Sequence, residues 1–282
     1  MERKNIALLG LLSLVVAVPI MGRSAQRLAS DYFGSPTRSS SENLSIKRYV
    51  AAGDRAYEVG TLDGAFPQMG WHVKGDMSGL WAPPIKLLDS YRFLINGQPF
   101  PNANKFTSGA GYVEFEYPET NGLQITRTVF VPDGIPAVLV GLSLRNASNQ
   151  TQSFPLLLEA TSELIAAYPW SRTTPTSDQV HQPDWVRFEP ISTGLLFSAP
   201  DKPFYAFVSG LPQASNGRDS ANFVGAFLPD SAPQPKQAVG QLIWQVTVTA
   251  GNELKLWFTV AGSHTGRTGA YMSGAAALQQ PD

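Results

Sequence analysis

Short runs in which apolar and polar residues alternate recur along most of the chain. Residues 112–117 place an apolar side chain at every second position and a glutamate at the positions between. Residues 123–131 repeat this pattern, with Arg127 in the same register as the apolar side chains. Residues 241–248 and 253–260 alternate in the same way. A period of two residues predicts β-strands, each with one face turned to a core.

Further strand-like runs occupy residues 45–50, 56–59, 87–95, 137–145, 153–163, 185–189, 194–198, 204–208 and 223–227. Turn signals such as Asn121-Gly122 and Asn96-Gly97 separate several of them, because Asn and Gly tolerate positive φ. About a dozen strands are too many for one seven-stranded sandwich. The pattern therefore predicts an all-β fold, a large two-sheet antiparallel β-sandwich. Residues 268–280 are rich in alanine and predict a short C-terminal helical segment.

The beginning of the chain follows a different pattern. Arg3 and Lys4 precede residues 6–22, which are uncharged and mostly apolar. A basic start followed by an apolar run is typical of a signal peptide, although seventeen residues are also at the short limit for a membrane span. We expect export of the body of the chain, with residues 1–22 as either a cleaved leader or a membrane anchor.

The remaining boundaries follow from composition. Residues 23–43 are rich in serine and poor in apolar side chains, so we expect a flexible tether, either a spacer or a disordered terminus. The β-sandwich domain is then expected at 44–262. Residues 263–282 would form a linker, or the start of a helix, leading toward a domain that this chain does not contain.

Composition excludes several classes of function. The chain has no cysteine, so disulfides and thiolate chemistry are excluded. Its net charge is −1 and it has no long basic run, which argues against binding of nucleic acid. The three histidines, His72, His181 and His264, are far apart in sequence, and no glycine pattern for dinucleotides or phosphates is present. We therefore expect no metal and no cofactor.

The densest group of chemically interesting side chains lies in residues 60–89. This stretch has five glycines and three prolines, so we predict a long loop without strand periodicity. Long loops in compact domains often bind something or contact a partner. Its candidate substrate-binding residues are Trp71, His72, Lys74, Asp76 and Trp81.

Glycoside hydrolysis requires two carboxyl groups on either side of the scissile bond. Carboxylates that can converge in this way are Asp63, Asp76 and Asp89 of the stretch, with Glu159 or Glu163 of a later strand. Glu114 and Glu116 are neighbours on one strand face, but we expect that pair to face water because the opposite face of the strand is apolar.

Tryptophan and tyrosine rings suit stacking on sugars, because a flat apolar face beside polar edges matches a pyranose ring. Trp244 and Trp257 lie inside predicted strands, and we expect them to fill a core or a domain interface. Trp71, Trp81 and Trp170 lie in segments rich in glycine and proline. For these three, the sequence leaves open sugar binding, a domain interface or local packing.

The most specific motif in the stretch is W-A-P-P-I-K-L-L-D at residues 81–89. Other distinctive segments lie at 53–57, 60–67, 69–72, 127–134, 162–164, 167–170 and 257–263. Together they resemble the N-terminal β-sandwich domain of bacterial glycogen-debranching and amylo-α-1,6-glucosidase-like proteins, which are six-hairpin glycosidases. The resemblance extends over nearly all of the chain after the tether, from about residue 49 onward.

In that family the sandwich precedes an (α/α)₆ barrel that supplies the general acid and base. The resemblance therefore implies a non-catalytic domain in carbohydrate metabolism, with α-glucan or oligosaccharide as a partner. It would support a catalytic barrel in cis or in trans and lend a loop to the rim of the active site. No catalytic residue is assigned to this chain. The alternative is a stand-alone exported β-sandwich that binds carbohydrate or another protein.

Overall fold

Two antiparallel sheets and one helix make up the described part of the chain. The computed structural model describes residues 37–69, 77–166, 183–212, 216–218 and 238–279. The sheets contain nine and eight strands, and in the smaller sheet one of the eight lies off the main path of seven. This confirms the predicted fold, an all-β two-sheet sandwich with a short helical segment near the C-terminus.

The larger sheet, called sheet A, has its strands in the order β1 (Arg38–Ser40), β7 (Lys105–Ser108), β8 (Tyr112–Glu116), β9 (Leu123–Phe130), β10 (Ala137–Asn146), β17 (Glu253–Ser263), β14 (Tyr205–Leu211), β13 (Gly194–Ser198) and β12 (Trp185–Glu189). The smaller sheet, sheet B, has the order β15 (Asn216–Arg218), β16 (Val239–Val248), β11 (Gln152–Ser162), β5 (Ile85–Ile95), β4 (Gly79–Ala82), β3 (Tyr57–Thr61) and β2 (Arg48–Ala52). β6 (Gln98–Pro99) forms a hairpin with β5.

The core lies between the two sheets, where the alternating apolar positions meet. Phe258 of β17 contacts Phe93 of β5, with ring centroids 5.0 Å apart, and Trp244 of β16 at 4.9 Å. Each buried Leu or Phe contributes about 1.5–3 kcal/mol to folding. Trp244 is buried in this core, as its place in an alternating strand predicts.

A single helix, α1 (Arg267–Leu278), packs on the outer face of sheet A. Its buried positions are small: Ala270, Gly274 and Ala277. A Cβ added to Gly274 would lie 2.9 Å from the ring of Phe207, so glycine allows the helix to approach β14 closely. Trp257 is partly buried and packs against a second apolar cluster, which includes Ala277, on this outer face rather than between the sheets.

Some strands were not predicted. β4 and the first residues of β5 lie within residues 60–89, so the prediction of a continuous loop is wrong for those segments. A strand of four residues offers too few positions to display a period, and the Pro83-Pro84 turn hides its continuation into β5. β1 lies within the expected tether and pairs with β7, so sheet A begins at Arg38.

Two predicted elements cannot be compared with the structure. The predicted leader, 1–22, and the predicted strand at 223–227 lie outside the described residues. Among the residues that the structure describes, no helix is long and apolar enough to cross a membrane.

Candidate functional site

Only one of the five predicted substrate-binding residues lies in the described part of the chain. Trp71, His72, Lys74 and Asp76 fall in the gap between residues 69 and 77, so their role stays a prediction. Trp81 lies on β4 rather than in a loop.

Strand register places Trp81 on the outer face of sheet B. Tyr57, Trp81 and Lys86 lie opposite one another on β3, β4 and β5. Leu80 of β4 and Leu88 of β5 belong to the core between the sheets. Because adjacent residues of a strand point to opposite faces, Trp81 faces away from that core. A bulge shifts the register between Leu80 and Trp81, and it allows Lys86 to face outward while Leu88 faces the core.

Trp81 is only 7% exposed, and its ring is held by neighbours. It stacks on Tyr57, with centroids 5.9 Å apart and planes 11° apart. Its indole N–H donates to the carbonyl of Met77 at 3.2 Å, and the ammonium of Lys86 lies 5.5 Å from the ring centroid. These contacts favour local packing among the alternatives for this tryptophan, and substrate contact by Trp81 stays a prediction.

Lys86 joins two carboxylates that the sequence analysis considered as a possible pair. Its fully buried Nζ donates to Oδ1 of Asp89 at 2.8 Å and to Oε2 of Glu163 at 2.7 Å. Burial by itself would lower the pKa of Lys86, but Glu163 and Asp89 outweigh it and raise the pKa above its usual value. We call Lys86, Asp89 and Glu163 the ionic clamp.

The other carboxylates of the sequence analysis lie apart from the ionic clamp. Glu159 accepts hydrogen bonds from Arg92 and from Gln241 on the outer face of sheet B. Asp63 is buried near the sandwich end. Asp76 lies outside the described residues.

The clamp joins the ends of two chain segments. Lys86 N–H donates to the carbonyl of Ile165 at 2.9 Å, and Ile85 forms a β-bridge with Ala166. Beside them, Met77 N–H donates to the carbonyl of Met69 at 2.8 Å. These backbone contacts position the residues that flank 70–76 and those that precede 167–182. By sequence, Trp71 and His72 lie in the first of these segments and Trp170 in the second.

A buried charge network, missed as a site by the sequence analysis, lies between the sheets. Arg127 of β9 is 2% exposed and packs on the ring of Phe115 at 4.1 Å. Glu58 of β3 is fully buried and accepts hydrogen bonds from the hydroxyls of Tyr49 and Tyr91. The only indication of this network in the sequence is that Arg127 falls in register with the apolar side chains of residues 123–131.

Burial sets the protonation behaviour of this network. It raises the pKa of Glu58, against the opposing effects of Arg127 and of the two tyrosine hydroxyls. Burial would lower the pKa of Arg127, yet the surrounding tyrosines and Glu58 outweigh it and raise the pKa. The network stabilises the folded chain only when its charges are present together.

Glu114 and Glu116 line a shallow groove on the surface of the domain. The groove has a volume of about 380 Å³ on the outer face of sheet A, and its lining includes Glu114, Thr128, Ser143, Glu253, Lys255 and Trp257. Glu114 is half-buried, and burial, followed by the charge of Glu116, raises its pKa. Both carboxylates therefore lie on the outer side of the strand, as expected, and Glu114 is the more enclosed of the two.

Among the described residues, no group of three or more His, Asp or Glu side chains is placed to hold a metal ion.

Comparison with family models and with curated proteins gives no match to this chain. Among solved structures, a putative aldose 1-epimerase from Escherichia coli K12 is similar at 9% identity and a TM-score of 0.46, over 77% of this chain and 99% of that protein. The heparan sulfate lyase HepC from Pedobacter heparinus is similar at 10% identity and a TM-score of 0.48, over 81% of this chain and 37% of the lyase.

A bacterial glucoamylase complexed with acarbose is similar at 8% identity and a TM-score of 0.47, over 86% of this chain and 36% of the enzyme. The chain thus spans little more than a third of the lyase and of the glucoamylase. All three names denote proteins of carbohydrate chemistry, and none denotes a debranching enzyme. Similarity this loose does not transfer an activity or a substrate to this chain.

Proposed function

We propose that this chain is a non-catalytic β-sandwich domain of a glycoside-hydrolase-like protein of the glycogen-debranching or α-glucosidase type. It acts in carbohydrate metabolism, outside the cytoplasm, by supporting a catalytic (α/α)₆ barrel in cis or in trans. The sequence resemblance at residues 81–89 and in the shorter segments supports this function.

The observation that carries the proposal is the ionic clamp. A general acid must hold a proton at working pH, and glycosidases achieve this by raising the pKa of one carboxyl group. In the clamp, Asp89 and Glu163 both accept a hydrogen bond from one buried ammonium, at 2.8 and 2.7 Å. The motif at 81–89 therefore places its carboxylate in a structural ion cluster.

The clamp also suits a domain that lends a loop to a neighbouring active site. Binding residues work best when they are carried by rigid elements whose own positions are fixed by packing. Here β4, β5 and the residues after β11 are fixed by the clamp. Trp71, His72, Lys74 and Asp76 are proposed as rim residues because they lie in the segment that starts from this base.

Turnover assays test the proposal. Purified full chain is incubated with maltooligosaccharides, isomaltose and aryl glucosides, and released glucose or aglycone is measured. We expect no turnover above buffer. Turnover that is abolished by Asp89→Asn or by Glu163→Gln, with folding preserved, would show that the clamp carboxylates catalyse and would overturn the proposal.

A stand-alone carbohydrate-binding sandwich is the second candidate, and the groove on sheet A favours it. A Trp257 ring beside carboxylates, hydroxyls and Lys255 is a suitable surface for a sugar chain. Titration with maltooligosaccharides, followed by tryptophan fluorescence, tests this candidate. Saturable quenching that is lost in Trp257→Ala and kept in Trp185→Ala supports it, because Trp185 is an exposed tryptophan that does not line the groove. No saturable change counts against it.

A further inference from the structure

A cleft opens at the sandwich end where the turn after β3 meets the segment after β6. Its volume is about 240 Å³, and its lining includes Asp63, Phe66, Ser90, Phe100, Asn102 and Arg127. None of the ionic-clamp residues lines it. Polar groups and aromatic rings therefore converge in a cavity that the proposed function does not use.

Arg127 is the buried cation of this cleft. Its Nη2 donates to the carbonyl of Gly64 at 3.2 Å, while its Nε has no hydrogen-bond partner among the described residues. An unpaired buried donor costs about 1–3 kcal/mol, so a native structure that keeps one needs an explanation. Gly64 has a φ of 84°, and a Cβ there would lie 2.9 Å from Nη2, so glycine keeps this space open beside the guanidinium.

Asp63 supplies a fixed acceptor. Its Oδ1 accepts from the hydroxyl of Thr61 at 2.6 Å and from Ala65 N–H at 3.3 Å, and its Oδ2 accepts from the amide of Asn102 at 2.9 Å. A carboxylate has about four acceptor positions, so one remains for a ligand hydroxyl. The side chain is 6% exposed and therefore pre-positioned.

The aromatic wall is held in place by its neighbours. Phe66 packs on Tyr91 with centroids 5.1 Å apart, and Phe100 packs on Tyr117 at 5.4 Å. Both phenylalanines are only partly buried and line the cleft. Their apolar faces suit the C–H faces of a sugar ring.

Charge and size select the kind of ligand. The cleft has two cations: Arg127 is accompanied by the carboxylates of Glu58 and Asp63, and Arg92 is paired with Glu159. There is therefore no excess positive charge to attract an anion. The volume is below the roughly 300–1,000 Å³ of pockets for drug-sized ligands. We propose that this cleft binds a single neutral pyranose ring, with hydroxyls donating to Asp63 and accepting from Arg127, and with the ring against Phe66 and Phe100.

Saturation-transfer NMR on the full chain tests this site, with D-glucose and D-galactose as neutral probes and D-glucuronate as the anionic probe. Single sugar rings bind weakly, so we expect a saturable signal with a Kd on the order of 1 mM for at least one neutral probe. Phe66→Ala removes part of the aromatic wall, and Phe204→Ala, another partly buried phenylalanine of the same core that does not line the cleft, is the matched control. Thermal melts establish that both variants fold.

The proposal predicts that Phe66→Ala weakens binding about tenfold or more while Phe204→Ala binds as the wild type does. No saturable signal with either neutral probe would overturn it. Binding of unchanged strength in Phe66→Ala would also overturn it, because binding would then lie elsewhere. Tighter binding of D-glucuronate than of both neutral sugars would contradict the charge argument. The site is independent of the proposed function, so its failure would leave the turnover prediction unaffected.

Discussion

The ionic clamp offers the sharpest test of the energetics, because its cation is fully buried and both of its partners can be changed nearly isosterically. Lys86 makes two hydrogen bonds to carboxylates, at 2.8 and 2.7 Å. Hydrogen bonds to charged groups contribute about 1.5–3 kcal/mol each. Glu163→Gln is therefore expected to lower the free energy of unfolding by about 1.5–3 kcal/mol.

Removing both partners has a larger expected effect. Asp89→Asn with Glu163→Gln leaves a buried ammonium without a counter-charge, which costs about 3–5 kcal/mol. For a chain of this size that corresponds to a fall in Tm of about 10 °C. Adding Lys86→Met to the double variant removes the unpaired charge, so the triple variant should recover most of the lost stability.

Urea unfolding at pH 7, followed by tryptophan fluorescence, gives these free energies. Glu116→Gln is the control, because the pair of Lys105 and Glu116 is exposed on both sides and should contribute about 0–1 kcal/mol. A double variant that loses less than about 1 kcal/mol, or a triple variant no more stable than the double, would refute the argument that burial makes this cluster strong.

Three further predictions concern the pH dependence of the ionic clamp, two glycines at positive φ and the buried charge network. The pKa of Lys86 is raised in the folded state, so its stabilising effect is complete below the unfolded-state pKa of lysine, about 10.4, and is lost as pH rises above that value. Urea midpoints should therefore fall more steeply above about pH 10.5 in the wild type than in the triple clamp variant. Equal slopes would contradict this. Gly79→Ala should lower the free energy of unfolding by about 3 kcal/mol or more, because a Cβ there would lie 2.2 Å from the carbonyl oxygen of Leu88. The control, Gly97→Ala, is also at positive φ but in open space and should cost about 1 kcal/mol. Equal losses of stability in chemical unfolding would show that the contact at Gly79 is unimportant. Arg127→Leu should lower the free energy of unfolding by about 3 kcal/mol or more, because it removes the cation near the buried Glu58. Adding Glu58→Gln should recover part of that loss in the same unfolding assay, and no recovery would contradict the coupling of these two charges.

The fold could be predicted because its longer strands carry a strict period of two. β8 and β9 alternate over most of their length, and the Asn121-Gly122 turn joins them. The same alternation puts Arg127 in register with the apolar side chains of its strand, and Arg127 is buried. Alternation is informative here because a strand with one face on the core repeats its environment every second residue.

The candidate site could be predicted only in part, because its contacts depend on long-range pairing. Glu163 lies 77 positions after Lys86, and the two meet only because β11 pairs with β5. The orientation of Lys86 depends on a bulge at Leu80/Trp81, which leaves no mark in the sequence pattern. The sequence offered three aspartates and two glutamates that could converge, without distinguishing Asp89 and Glu163 among them, and the shared cation was not foreseen.

We infer that Asp89, in the motif at 81–89, and Glu163 stabilise the folded structure and do not catalyse a reaction. The most direct test measures turnover of an aryl α-glucoside and Tm in parallel, for the wild type, Asp89→Asn and Glu163→Gln. The account predicts no turnover above buffer for any of the three proteins and a lower Tm for both variants. Turnover by the wild type that disappears in either variant at unchanged Tm would contradict it.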